Sequence, residues 1–149
     1  MNCMRSRLII VTLFAVLLPL LARTDESLEQ LVARAESARP EDRPPLYVEA
    51  ARRQLEAANE LYNAGKPDEA LLAVHDVVAY SDKARDAALQ SNKKVKDTEI
   101  AMRKIAGRLR DIGRTLSFDE LPPIQAAADH LEQIRTELLN HMFAKKGSK

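Results

Sequence analysis

Residues 45–92 read PLYVEAARRQLEAANELYNAGKPDEALLAVHDVVAYSDKARDAALQSN, and this stretch decides the fold. Tyr47, Ala51, Leu55, Ala58 and Tyr62 return every three or four positions, the spacing of one face of an α-helix. Ala70, Val74, Val77, Ser81, Ala84 and Ala88 do the same in the second half, with Leu71 and Val78 widening the stripe. Between the halves stands Ala64-Gly65-Lys66-Pro67. Gly65 has no Cβ and enters the left-handed backbone region that ends a helix. Pro67 suits the first turn of the next helix, where a missing N–H loses no partner. Asp68 and Glu69 then put negative charge on that helix's positive end. The stretch is expected to form two antiparallel helices, at 45–64 and 67–90.

Towards the C-terminus the pattern repeats. Val95, Thr98, Met102, Ile105, Leu109, Ile112 and Leu116 step by three and four without a miss, which predicts a helix over 94–116. Ser117–Pro123 reads as a loop, with Ser117 and Glu120 spaced to cap and Pro122-Pro123 opening a last helix. Ile124, Ala127, Leu131, Ile134, Leu138 and Met142 carry that helix to about residue 143. The stripe of 67–90 also continues through Ser91 and Val95 in register. Either one rod of about 50 residues forms, ~75 Å long, or the chain breaks at Ser91-Asn92. The break is preferred, because Asn tolerates the left-handed conformation and four segments of similar length suit an antiparallel bundle.

Towards the N-terminus the character changes. Arg5 and Arg7 precede an apolar run at 8–22, the arrangement of a secretory signal peptide with cleavage near Ala22. The run is short of the ~20 residues that cross a bilayer, which favours cleavage; the alternative is a chain held in the inner membrane by residues 8–22. Export to a bacterial periplasm, or secretion, is the expectation. Residues 24–38 read as a short helix with Leu28, Leu31, Val32 and Ala35 on one face, and Ser27 and Gln30 spaced as a capping box. Residues 39–45 hold three prolines among four charged residues and read as an exposed connector to a loosely attached first helix. The domain plan is therefore a leader at 1–22, a short helix and Pro-rich connector at 23–44, a helical bundle at 45–143 and a basic, disordered tail at 144–149.

Composition agrees. The chain is 46% hydrophobic and 30% charged, with six aromatic residues and no Pro between Asp68 and Leu121, so the fold class is all-α: four long helices plus a short N-terminal one. The single cysteine, Cys3, lies in the leader. A cleaved chain therefore has no disulfide, no thiolate nucleophile and no Cys-based zinc site. Cleavage removes two of the 23 basic residues and none of the 22 acidic ones, leaving no net pull towards nucleic acid.

The segment Leu61-Tyr62-Asn63-Ala64-Gly65-Lys66-Pro67-Asp68-Glu69-Ala70-Leu71 resembles the turn between the two helices of a tetratricopeptide repeat, with Gly65 and Ala70 at the family's small positions. The resemblance covers one hairpin, about residues 45–80. Gln54 stands where the repeat has Trp and Val74 where it has Phe, and no second copy follows about 34 residues on. It implies TPR-like helical-hairpin geometry. A peptide groove would need stacked repeats.

Candidate chemistry is sparse. The histidines are His75, His130 and His141. Asp129 and His130 are neighbours on a helix, about 100° apart, and cannot orient each other. Glu137 and His141 are four apart and share a face; they are the candidate metal ligands, with His130 as a third. There is no His-Glu-x-x-His, no Gly-x-Ser-x-Gly and no phosphate-cradling glycine loop. Lys96, Arg103, Lys104, Arg108, Arg110 and Arg114 give the fourth helix a basic face, a candidate surface for an anionic membrane, a polysaccharide or an acidic partner. Residues 25–60, with nine acids and five bases, offer an internal match to the same charges. Tyr47, Tyr62 and Tyr80 read as core-edge packing. No catalytic residue and no cofactor is expected. The expected function is a non-enzymatic, exported protein-binding or scaffolding module of the cell envelope; the alternative is a ligand- or metal-binding helical bundle.

Overall fold

The computed structural model describes residues 26–144, and every regular element among them is helical. The leader read at 1–22 lies outside the described residues, as do 145–149 of the tail. Ala144, read as the start of that tail, instead closes the last helix.

Helix α1 runs Leu28–Ser37, shorter at its start than the 24–38 expected. Its N-terminus is the anticipated capping box: Gln30 N donates to Ser27 Oγ at 3.2 Å and Ser27 N donates to Gln30 Oε1 at 3.0 Å. The connector is not an open strap. Pro40–Asp42 forms a 3-10 turn and Pro44 is buried. Helix α2 starts two residues before the expected position and runs Arg43–Asn63. Prolines in a first helical turn lose no hydrogen bond, so they extend the helix backwards rather than stop it.

Nor is α1 loosely held. Leu31 and Ala35 are fully buried. Arg43 donates to Ala38 O at 3.0 Å and Glu36 O at 3.3 Å, supplying partners to carbonyls that a helix end leaves orphaned. Arg53 donates to Glu26 O. The Lys83 ammonium lies 5.5 Å from the Tyr47 ring centroid and 3.6 Å from Glu36 Oε1, tying α1 to the hairpin.

Helix α3 runs Pro67–Ser91. The α2–α3 turn is a Schellman motif: Lys66 N donates to Leu61 O at 2.9 Å and Gly65 N to Tyr62 O at 3.0 Å, with Gly65 at φ 71°. The single rod does not form. Asn92 and Lys94 both adopt left-handed backbone (φ 55° and 59°), and Ser91 Oγ donates to Ala87 O while accepting from Lys93 N. Helix α4, Val95–Gly113, stops three residues before the expected end. Helix α5 runs Leu121–Ala144. Between them Glu120 Oε2 accepts from Ser117 N at 3.1 Å and Ser117 Oγ at 2.6 Å, closing the loop.

The stripes read from sequence face inward. Tyr47, Ala51, Leu55 and Ala58 of α2 are buried, and so is the whole α3 stripe from Ala70 to Ala88. Val95 to Ile112 of α4 and Ile124 to Leu138 of α5 follow suit. Gly113 sits off the α4 stripe yet is buried, because α5 starts against it: a Cβ there would come within 3.1 Å of Leu121 Cδ1 and 3.3 Å of Ile124 Cγ2.

Two hairpins, α2 with α3 and α4 with α5, make the most extensive contacts. They join through α3 against α5, α2 against α4 and α3 against α4. Pro45, Val48 and Arg52 border the same crevice as Lys94, Thr98 and Ala101, so α2 and α4 run in the same direction. Asp82–His130 and Arg85–Glu137 pairs place α3 and α5 in the same direction too.

Candidate functional site

The six basic residues read as a face are all exposed, five on α4 and Arg114 just past its end. A helix packed on one side must expose the other, and here the buried positions of α4 take the apolar residues and leave the bases outside. Arg110 Nη1 reaches Glu132 Oε1 at 3.1 Å and Arg114 Nη1 reaches Asp111 Oδ1 at 2.9 Å. Lys96, Arg103, Lys104 and Arg108 form no ion pair with any described residue. They extend over about 18 Å of helix at 1.5 Å per residue. No described acid of the 25–60 stretch forms an ion pair with them: Glu26 and Glu49 pair with Arg34 and Arg53, Glu41 and Asp42 with Arg39, and Glu36 with Lys83.

Beside this ridge a ladder of charges spans the α4–α5 seam. Arg135 Nε donates to Glu99 Oε1 at 2.6 Å, Arg135 Nη1 lies 3.3 Å from Glu132 Oε2, and Glu132 holds Arg110. Glu99 is only 7% exposed, although its sequence context reads as a counter-charge on an exposed basic helix. Its hydrogen bond from Arg135, followed by the bond from Arg135 to Glu132, raises the guanidinium pKa above its ordinary value. The sequence did carry a signal here. It is only a weak one: Glu99 follows the stripe residue Thr98 directly, but Arg103 follows Met102 in the same way and is exposed.

A second polar cluster joins α3 to α5. Arg85 lies 2.9 Å from Asp82 Oδ1, 2.9 Å from Asp86 Oδ1 and 3.5 Å from Glu137 Oε2. Partial burial works against its charge, but these three carboxylates outweigh it and the pKa is raised. His130 Nε2 lies 3.0 Å from Asp82 Oδ1. His130 thus takes its carboxylate from another helix, not from its neighbour Asp129.

The candidate ligands Glu137, His141 and His130 are not gathered. Glu137 turns to Arg85, His130 to Asp82, and His141 Nε2 lies 3.0 Å from Asn92 Oδ1. No three His, Cys, Asp or Glu side chains among the described residues form a group with metal-binding geometry. His75 is exposed. Tyr47 is buried, while Tyr62 and Tyr80 sit at the core edge. Burial, then the charge of Glu120, raises the Tyr62 pKa; burial, then Asp76, raises that of Tyr80.

A cleft of about 690 Å3 opens where α4 begins and α5 ends. Val95, Leu139, Met142 and Phe143 supply its apolar wall, and Lys94 and Lys96 stand at its edge. Phe143 is 62% exposed. No described helix is long and apolar enough to cross a membrane. No family model, curated protein or solved structure matches the chain.

Proposed function

We propose that this chain is an exported, non-enzymatic interaction or scaffolding module of the cell envelope, built as two stacked TPR-like helical hairpins. What supports the stacked reading is the adjacency of the helices. With α2 beside α4 and α3 beside α5, like helices of successive hairpins form two layers, as helix pairs do in α-solenoids. Export rests on the basic start and apolar run at 5–22.

The observation that carries the functional reading is the division of charge. The buried or half-buried ionisable groups between helices pair with one another, as in Glu99–Arg135 and Asp82–His130, and so hold the frame together. Lys96, Arg103, Lys104 and Arg108 of α4 pair with nothing described and face outward. A rigid frame that presents an unmatched charged face is suited to binding rather than to bond-breaking chemistry.

The test is site-specific photocrosslinking in envelope fractions. A photoreactive residue at Arg108 is expected to capture a discrete partner, and the same residue at Leu72, on the exposed side of α3, is not. Absence of any adduct at Arg108, or the same adducts from both positions, overturns the reading.

A further inference from the structure

We infer that the outer face of the α4–α5 hairpin docks on an anionic phospholipid surface, the α4 ridge lying along the headgroups and Phe143 entering them at one end. The inference deepens the interaction reading above and rests on it. Three observations meet on this face.

The first is the pattern of charge. From Ile100 to Arg110 the helix carries Arg103, Lys104, Arg108 and Arg110 and no acid. The exposed acids that flank this run are already engaged: Asp97 lies 3.7 Å from Lys94, and Asp111 2.9 Å from Arg114. Net positive potential therefore survives along the ridge.

The second is that these cations do not converge. A single bound anion needs donors aimed at one point. Lys96, Arg103, Lys104 and Arg108 are instead spread along about 18 Å of helix, which matches a field of headgroups.

The third is an apolar end. At the level of Lys96, Phe143 protrudes, with Leu139 and Met142 beside it in the wall of the cleft. Lys94 and Lys96 line the same cleft, and an aromatic side chain beside lysines is the chemistry of an interfacial anchor. An anionic lipid surface supplies both a counter-charge for the cations and a bed for this apolar end.

The test compares the full chain with two variants, Lys96→Gln/Arg103→Gln/Lys104→Gln/Arg108→Gln and Phe143→Ser. Binding is measured on vesicles of phosphatidylcholine alone and of phosphatidylcholine mixed with phosphatidylglycerol. All three proteins carry the same residues 1–25, so any affinity of that segment cancels. The wild type is expected to prefer the mixed vesicles, and high salt is expected to abolish the preference. Each cation near an anionic leaflet strengthens binding roughly fivefold, so the quadruple variant is expected to lose at least about tenfold on mixed vesicles. Phe143→Ser is expected to weaken binding there as well.

Equal binding to both vesicle types, or an unchanged quadruple variant, overturns the inference. Soluble polyglutamate binding the wild type as tightly as mixed vesicles reassigns the face to acidic protein. If circular dichroism shows the quadruple variant unfolded, the salt titration of the wild type decides: a preference that survives high salt overturns the inference. Vesicle failure with a specific Arg108 adduct removes the lipid and leaves the protein-partner reading standing. Vesicle binding without that adduct does the reverse.

Discussion

Replacing Arg135 by Met tests the ladder between α4 and α5 most directly. Met keeps much of the side chain's apolar reach, so packing changes little while the charge goes. What remains is the Glu99 carboxylate, 7% exposed, without the donor that sat 2.6 Å away. Breaking a fully buried pair from one side costs about 3–5 kcal/mol, because the survivor stays desolvated and alone. An exposed pair is worth about 0–1 kcal/mol. Here the carboxylate is buried but the Arg135 side chain is 33% exposed, so the cost should fall between, at about 2 kcal/mol. For a domain of this size that lowers the melting temperature by roughly 8 °C.

The assay is urea unfolding at neutral pH of the wild type, Arg135→Met, Glu99→Leu and the double variant. The double variant should recover much of the loss, since two apolar groups in contact carry no desolvation penalty. Glu99→Gln in the Arg135→Met background should also recover part of it. Additive costs, with a coupling energy below about 0.5 kcal/mol, would refute the view that the pair is what makes Glu99 tolerable at this seam.

Ser81 Oγ is buried with no hydrogen-bond partner among the described residues, so Ser81→Ala should stabilise the fold by up to about 1 kcal/mol, read by urea unfolding. Gly107→Ala meets no atom within 4 Å and should gain up to about 1 kcal/mol of helix propensity. Gly113→Ala presses on Leu121 and Ile124 and should gain nothing or lose; the pair of melting curves checks both. The Glu120 pKa is lowered by the Ser117 hydroxyl and then the Ser117 N–H, so its contribution is present above the ordinary carboxylate pKa and lost as pH falls through the folded value. Ser117→Ala should flatten that acid limb. The Tyr62 pKa is raised, so its contribution holds below the ordinary phenol pKa and fades as pH rises through the folded value; Tyr62→Phe should remove that part of the alkaline limb in a pH series of melts.

The inward faces were legible because apolar recurrence is a local signal. Each residue from Val95 to Ile112 in the α4 stripe could be placed by counting, and each is buried. The Gly65 turn was legible for the same reason, since the residue that needs φ 71° is itself in the motif. The break at Asn92 was legible only as a preference, because the stripe runs through it unbroken and two left-handed residues, Asn92 and Lys94, decide the outcome. What depends on a second helix was not legible. Nothing local says that Pro44 is buried, that Gly113 must make room for Leu121, or that Arg135 waits beside Glu99. Of the candidate site, the basic face was visible by composition. That Arg110 is already paired depends on Glu132, more than twenty positions away.

The three-residue joint at 92–94 has a consequence for storage and handling of the protein. Because Ser91 and Val95 lie on one continuous stripe, straightening the joint would leave both hairpins correctly phased on a common rod. Two molecules could then trade their second hairpins and rebuild every interhelical seam with the other's, losing only the tight bend. Concentrated or gently heated samples should therefore contain an exchanged dimer, enriched when Asn92 and Lys94 are replaced by residues that resist positive φ.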